Sequence, residues 1–271
     1  MSNLLLRPIN VNTVLIIIAI VAVLAIIFAV LIVSVSKLCA VEEDERAKQI
    51  EENLAGANCG GCGYAGCADF AKALLEGKAT IDGCGPTSNE GKKQICSVLG
   101  VEFVEKEDCF AVVHCAGGKV SLDKYAYTGN QNCILESMQM GGKKNCLEGC
   151  IGEGTCASLC PYYAISVKQG VAVADRSLCE ACGVCVKKCP KHLIELVPKS
   201  SVVYVACSSK CKGKDVMNTC KVGCIGCGIC AKFCPENAIT MQNNIPVIDY
   251  SKCTGCKTCV SKCPRKCIRE I

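Results

Sequence analysis

The sequence predicts an α+β protein in which small cysteine-built modules follow a single apolar helix. Three observations predict it. Two four-cysteine runs end in Cys234-Pro235 and Cys263-Pro264, much of the same half of the chain recurs at an offset of 74 residues, and Val14 to Val35 is 22 residues without a charge. Twenty-nine cysteines in 271 residues exceed the roughly 8–10% that marks a cysteine-built scaffold, while Trp is absent and aromatics are only 4%. Modules with so few bulky side chains cannot bury a self-sufficient core, so bound metal must supply much of the folding free energy. Disulfides are the alternative staple, but the odd cysteine count and the C-x-x-C-x-x-C spacing suit metal better. With only two histidines, His114 and His192, Cys2His2 zinc fingers and a two-histidine Rieske centre are effectively excluded, and both residues read as surface or turn residues.

Taken in order, residues 1–13 form a tail and residues 14–36 a transmembrane helix. At about 1.5 Å per residue the apolar run reaches roughly 33 Å, enough to cross a bilayer. It is longer than a signal peptide's apolar region, and Ser36-Lys37-Leu38 is no cleavage site. Leu38 is also too large to precede a lipidated cysteine, which leaves Cys39 a bystander at the interface. Arg7 stands on one side of the helix and Lys37, Arg46 and Lys48 on the other. The positive-inside rule therefore favours a single-pass protein of the inner or cytoplasmic membrane with its body on the cytoplasmic side. Residues 37–55 form a charged stem, with Val41 to Glu52 a short helix.

Residues 56–90 carry Cys59-x-x-Cys62-x4-Cys67, with Cys84 further on. These four thiolates are one metal centre's worth of ligands. Ala68, Ala71, Leu74 and Leu75 have helical spacing, so Ala68 to Leu75 is expected to pack over the site and return Cys84 to it. Gly61 to Gly66 formally matches G-x-G-x-x-G, but no β-branched strand precedes it and a cysteine occupies the loop. The glycines are expected instead to let backbone approach a cluster closely. Residues 91–130 read as a connecting segment, with short strands at Val101 to Val104 and Phe110 to Val113 and a turn at Gly117-Gly118. Cys96, Cys109 and Cys115 stay unassigned there.

Residues 131–199 and 200–271 read as two tandem ferredoxin-like modules, each an α+β unit over two clusters. At the 74-residue offset Cys133, Cys146, Cys150, Cys156, Cys160, Cys179, Cys182, Cys185 and Cys189 fall on Cys207, Cys220, Cys224, Cys230, Cys234, Cys253, Cys256, Cys259 and Cys263. Gly149-Cys150-Ile151-Gly152 recurs as Gly223-Cys224-Ile225-Gly226, and Asp175 as Asp249. Val171-Ala172-Val173 and Ile245-Pro246-Val247 read as hairpin strands.

The Cys224-x-x-Cys227-x-x-Cys230-x-x-x-Cys234-Pro235 run is the bacterial ferredoxin pattern, in which three close thiolates hold one cluster and the proline-linked fourth holds the other. The ligand sets follow: Cys59, Cys62, Cys67 and Cys84; Cys146, Cys150, Cys156 and Cys189; Cys179, Cys182, Cys185 and Cys160; Cys224, Cys227, Cys230 and Cys263; Cys253, Cys256, Cys259 and Cys234. That makes five [4Fe–4S] clusters. Glu153 breaks the symmetry where the second copy has Cys227. Cys146 is the expected replacement in the first copy, with carboxylate ligation disfavoured by the softness of iron–sulfur ligands. Cys39, Cys96, Cys109, Cys115, Cys133, Cys207, Cys211, Cys220 and Cys267 are left over.

Fifteen Lys or Arg lie between Lys187 and Arg269, against four acids. Cations near anionic clusters stabilise them, and a basic face also suits an acidic soluble ferredoxin. Nucleic acid is not expected, because no aromatic stacking platform accompanies the lysines.

The layout resembles the B subunits of Rnf complexes, membrane-bound ion-translocating ferredoxin:NAD oxidoreductases. The anchor, the Cys59 to Cys84 module and the two ferredoxin modules carry the resemblance over nearly the whole chain; Cys211 and Cys267 are additions to the pattern. It implies electron entry from soluble ferredoxin and transfer onward to other membrane and peripheral subunits that carry flavin, reduce NAD and move sodium ions or protons. Nothing in the sequence looks like a general base, a hydride acceptor or a nucleotide cradle, so no catalytic residue is expected in this chain. The rival readings are a membrane-tethered polyferredoxin serving another redox enzyme such as a hydrogenase, and a zinc-bound interaction scaffold.

Overall fold

A computed structural model describes residues 11–38, 44–105 and 107–271 of the chain. Most of the expected tail, and Cys39, lie outside them. The chain divides into two compact units, residues 1–44 and 45–271.

The first unit is α1 (Val11–Leu38). From Val14 to Val35 its side chains are exposed on every face, and this stretch is long and apolar enough to cross a membrane. A helix that is apolar all round has no polar face to turn towards water, so it needs lipid or protein around it.

The second unit begins with three helices, α2 (Glu45–Asn53), α3 (Cys67–Leu75) and α4 (Asn89–Leu99). They bury Ile50, Leu54, Phe70, Ala71, Leu74 and Ile95 against one another. A helix starts at Cys67, one residue before the expected segment, and the apolar stripe of α3 faces α2. Ser88 caps α4 by accepting a hydrogen bond from the Gly91 N–H at 3.1 Å, and Gly100 ends it in the left-handed region at φ 70°. A turn of 3-10 helix at Ile81–Gly83 returns Cys84 beneath α3. Val101 to Val104, expected as a strand, forms none. Val101 and Val104 are exposed and no partner edge runs beside them, and without pairing a β-prone segment gains little.

Two similar modules follow. The first comprises β1 (Cys109–Val113), α5 (Cys133–Met138), α6 (Thr155–Ser158), the hairpin β2 (Ile165–Lys168) and β3 (Val171–Ala174), α7 (Val184–Lys188) and β4 (Ile194–Pro198). The second comprises β5 (Val203–Val205), α8 (Gly213–Thr219), α9 (Ile229–Lys232), the hairpin β6 (Ile239–Gln242) and β7 (Ile245–Ile248), α10 (Thr258–Lys262) and β8 (Ile268–Glu270). Each module pairs its own hairpin antiparallel and pairs its last strand antiparallel with its first, β1 with β4 and β5 with β8.

The repeat extends to backbone detail. Tyr163 and Asn237, Gln169 and Asn243, and His192 and Lys266 share left-handed φ values at the 74-residue offset. Asp175 accepts from Ser177 N–H and hydroxyl as Asp249 does from Ser251, at 2.8 and 2.6 Å in the first copy and 3.1 and 2.6 Å in the second.

The strand register corrects the offset at one end. Val113 pairs with Ile194 and Val205 with Ile268, so Val205 is the counterpart of Val113 although it lies 92 residues later. The structural equivalent of Cys207 is therefore Cys115, not Cys133. Between Cys115 and Cys146 the first copy carries an insert that a constant offset conceals. The strand expected at Phe110 to Val113 is present as β1, and it serves as the first strand of module 1 rather than as part of a connecting segment.

Candidate metal centres

Four groups of cysteines surround small cavities or stand within electrostatic reach of one another as the spacing anticipates. Cys59, Cys62, Cys67 and Cys84 line one cavity with Phe70 and Pro86. Asn58, at φ 46°, turns the chain there, and its side-chain oxygen accepts from the Cys67 N–H at 2.8 Å. Thr87 donates its hydroxyl to the Cys84 sulfur at 3.1 Å. Cys234, Cys253, Cys256 and Cys259 line a second cavity. Cys185 interacts with Cys179, Cys182 and Cys160, and Cys230 with Cys224, Cys227 and Cys263. The proline-linked cysteine of each run thus stands with the neighbouring run's thiols, as the crossover rule requires.

The remaining group differs from expectation. Cys150, Cys156 and Cys189 share a cavity with Cys133, and Cys146 is not among its lining residues. Asn132 caps α5 by accepting from the Ile134 and Leu135 N–H groups at 2.8 and 3.2 Å, and the Cys133 N–H donates to Thr155 at 2.8 Å, next to Cys156. The insert thereby carries Cys133 to the corner that Cys227 occupies in the second copy. Glu153 is turned away into an ion pair with Lys143. Cys146 lines a separate cavity with Cys115, Cys207 and Cys220. Local spacing favours Cys146, whereas only the fold of the insert brings Cys133 near. The one signal of this in the sequence is the surplus of cysteines itself.

The other unassigned thiols are scattered. Cys96 is buried on α4, Cys109 opens β1, and Cys211 is exposed. Cys267 approaches Cys263 at 3.5 Å between sulfurs and interacts with Cys224, which holds the Cys224 thiol below its ordinary value and Cys267 above it.

The cavities suit a multi-iron core better than a single ion. Tetrahedral zinc at about 2.3 Å from each sulfur draws its thiolates to within about 4 Å of one another. Among the described residues no three potential ligands converge on a single-ion site, and no two cysteines are disulfide-bonded. Burial pushes the thiols of Cys150, Cys156 and Cys185 up to about 12. Without metal these groups hold their protons at neutral pH. Thiolate ligation must displace those protons, so loading is favoured as pH rises.

The groups are also close to each other. Cys182 lines the same cavity as Cys59 and Cys84. A Cβ on Gly61 would stand 2.0 Å from the Cys182 carbonyl oxygen, and one on Gly85 would stand 2.2 Å from that of Ala181. Gly61, the first glycine of the G-x-G-x-x-G match, and Gly85 let the Cys59 to Cys84 module lie backbone to backbone on the next. Cys156 interacts with both Cys189 and Cys185, joining the two groups of module 1. His114 pins the ferredoxin modules together, with Nδ1 2.7 Å from the Val205 carbonyl and Nε2 2.8 Å from Glu195. That contact holds the Glu195 carboxyl below its usual range.

Thiol groups in close succession, gathered around cavities that suit an iron–sulfur core, define a multi-centre electron carrier. Comparison with known proteins agrees. Residues 54–86 match the family described as a putative Fe-S cluster, residues 147–163 and 176–195 a 4Fe-4S binding domain, and residues 223–267 a 4Fe-4S dicluster domain. The chain is 40% identical to the B subunit of the ion-translocating oxidoreductase complex of Methanosarcina acetivorans, over 93% of this chain and 96% of the relative. It is 37% identical to the B subunit of the Na(+)-translocating ferredoxin:NAD(+) oxidoreductase complex of Acetobacterium woodii, over 95% and 78%. It is 36% identical to the proton-translocating counterpart of Clostridium ljungdahlii, over 96% and 93%. The chain belongs to this family, the B subunits of ion-translocating ferredoxin:NAD oxidoreductase complexes, the Rnf complexes.

Proposed function

We propose that the chain takes electrons from reduced ferredoxin at its second ferredoxin module and relays them through its cysteine sites to the Cys59 to Cys84 module, for delivery to other subunits at the membrane. The observation that carries this reading is the contact of thiol groups from the Cys59 to Cys84 module into module 1, with module 2, which bears exposed sulfurs, fastened to module 1 through His114. Each [4Fe–4S] cluster, when bound, supplies a one-electron carrier. The protein's part is to space the sites, bury them and set their charge environment.

Five sites make up this relay: Cys59, Cys62, Cys67 and Cys84; Cys160, Cys179, Cys182 and Cys185; Cys133, Cys150, Cys156 and Cys189; Cys224, Cys227, Cys230 and Cys263; and Cys234, Cys253, Cys256 and Cys259. Entry at module 2 is supported by exposure, since Cys227 and Cys256 are exposed while the thiols of the Cys59 to Cys84 module are at least partly covered. Lys252, Lys257 and Lys262 are exposed on the same module. Lys252 and Lys257 pair with Asp249 and Glu270, and Lys262 stands 5.5 Å over the Phe233 ring. An acidic partner able to exchange those surface pairs for its own carboxylates would be steered there. The helix Val14–Val35 supports a single membrane pass, and the Lys and Arg that follow it support a cytoplasmic body.

Replacing Lys252, Lys257 and Lys262 with Gln should slow ferredoxin-driven reduction several-fold at low ionic strength. The gap should close as salt shortens the Debye length below about 8 Å. Rates equal to wild type at low salt would remove the docking assignment.

A further inference from the structure

Four of the cysteines outside those five sites meet between the two ferredoxin modules. Cys115, Cys146, Cys207 and Cys220 line one cavity, as the cysteines of three of the proposed cluster sites do. We propose that these four thiols hold a sixth [4Fe–4S] cluster, which joins the clusters of the two modules into one chain. The proposal deepens the relay reading and rests on it.

Symmetry is the strongest support. The strand register makes Cys115 the counterpart of Cys207, two residues beyond β1 and β5 respectively. Cys146 and Cys220 are counterparts at the 74-residue offset. One cavity therefore receives both members of two equivalent pairs, two cysteines from each module.

The hydrogen bonding repeats as well. The Cys115 sulfur accepts from the N–H groups of Cys150 and Gly117, each at 3.4 Å. The Cys207 sulfur accepts from the N–H of Cys224 at 3.3 Å and from that of Ser209. Cys224 is the counterpart of Cys150, and Ser209 stands to Cys207 as Gly117 to Cys115. Backbone N–H donation to ligand sulfur is a device that stabilises thiolate and tunes a cluster. The same two thiols face Cys146 across the space. A Cβ on Gly117 would lie 3.3 Å from the Cys220 sulfur and 3.7 Å from that of Cys115, so sulfurs from the two modules flank one point that glycine keeps clear.

The surroundings hold the site together. Leu122 of the insert donates its N–H to the Thr219 carbonyl at 3.0 Å, and Ser121 bridges to Cys220. Arg265 donates to the carbonyls of Cys220 and Gly223 at 2.8 and 3.2 Å, placing a cation behind the cysteine loop. The neighbouring sites on either side lie directly against this one, because Cys150 and Cys224 donate their N–H groups here while belonging to the adjacent thiol groups.

Assembly exchanges four thiol protons for four iron–sulfur bonds. In turnover the cluster takes one electron from a reduced neighbour and passes one electron to the next oxidised neighbour. No bond is formed or broken.

Iron, acid-labile sulfide and zinc determinations on the anaerobically purified full chain test the proposal, with electron paramagnetic resonance of the reduced protein. Six clusters require about twenty-four irons per chain. A Cys115→Ala/Cys220→Ala variant should lose about four irons and four sulfides and keep the other cluster signals, while a Cys96→Ala/Cys109→Ala control loses none. A wild-type count of about twenty, or a double variant that keeps the wild-type count, would overturn the sixth site and leave the five-site relay standing. A zinc-loaded, iron-free chain would overturn both. The wild-type count alone separates six from five, so the test holds even if the double variant fails to fold.

Discussion

The two ferredoxin modules share a backbone plan but complete it differently. The second copy fills the four-thiol group of Cys224, Cys230 and Cys263 with Cys227, three residues from its neighbour. In the first copy that position is Glu153, paired with Lys143, and the corner is taken by Cys133 from an insert the second copy lacks. The same insert bears Ser121 and Leu122, which fasten the Cys220 loop between the modules. One extra segment therefore replaces a lost local ligand and closes an inter-module cavity. The exposed copy keeps the plain pattern, whereas the copy lying between other thiol groups carries the elaboration.

The largest effect expected from breaking this difference is at Cys133. Cys133→Ala should cost module 1 one cluster, or convert it to a three-iron form, and Cys227→Ala should do the same in module 2. Iron content and electron paramagnetic resonance would read both. Adding Glu153→Cys to Cys133→Ala should restore the lost iron by rebuilding the first copy on the plan of the second. Failure of that rescue, with the chain otherwise loaded, would mean the two corners are not equivalent.

A smaller effect is expected at the contact between the Cys59 to Cys84 module and module 1. Gly61→Val places side-chain atoms where the Cys182 carbonyl now stands and should destabilise the loaded protein by about 1–3 kcal/mol. It should also slow reduction of the Cys59 to Cys84 centre more than that of the second module. Thermal melts and freeze-quench spectra would show whether the loss is confined to that contact.

The smallest concerns a mismatch at the start of the last helix of each module, α7 and α10. Lys257 holds φ 60° where the first copy has Gly183 at φ 73°. Lys257→Gly relieves about 1 kcal/mol of left-handed strain and forfeits an exposed pair with Glu270 worth at most about 1 kcal/mol. The melting temperature should stay level or rise slightly. A fall of several degrees would show that the Glu270 pair contributes more than an exposed pair ordinarily does.

Much of this is legible in the sequence because cysteine spacing encodes local loop geometry. The runs around Cys182 and Cys227 need only a tight loop and a proline, and both requirements are written within a dozen residues. The apolar helix and the α3 stripe are equally local. Cys133 is not legible in that way, because its place depends on how an insert folds back, with Asn132 capping α5 and Thr155 holding its N–H. The equivalence of Cys115 and Cys207 is hidden for a related reason: a constant offset aligns Cys207 with the wrong cysteine, and only strand pairing exposes the shift. His114 reads as an ordinary surface residue, yet it links the modules through partners at Val205 and Glu195 that are far away in sequence.

The central claim is that the chain conducts electrons from its exposed module inward. Rapid mixing of the anaerobically purified full chain with reduced ferredoxin, freeze-quenched for electron paramagnetic resonance, tests it directly. The account predicts that signals from the Cys224 to Cys263 module appear first and that the Cys59 to Cys84 centre follows, with magnetic coupling between neighbours. Reduction of the Cys59 to Cys84 centre ahead of the second module, or a chain that ferredoxin leaves oxidised, would contradict it.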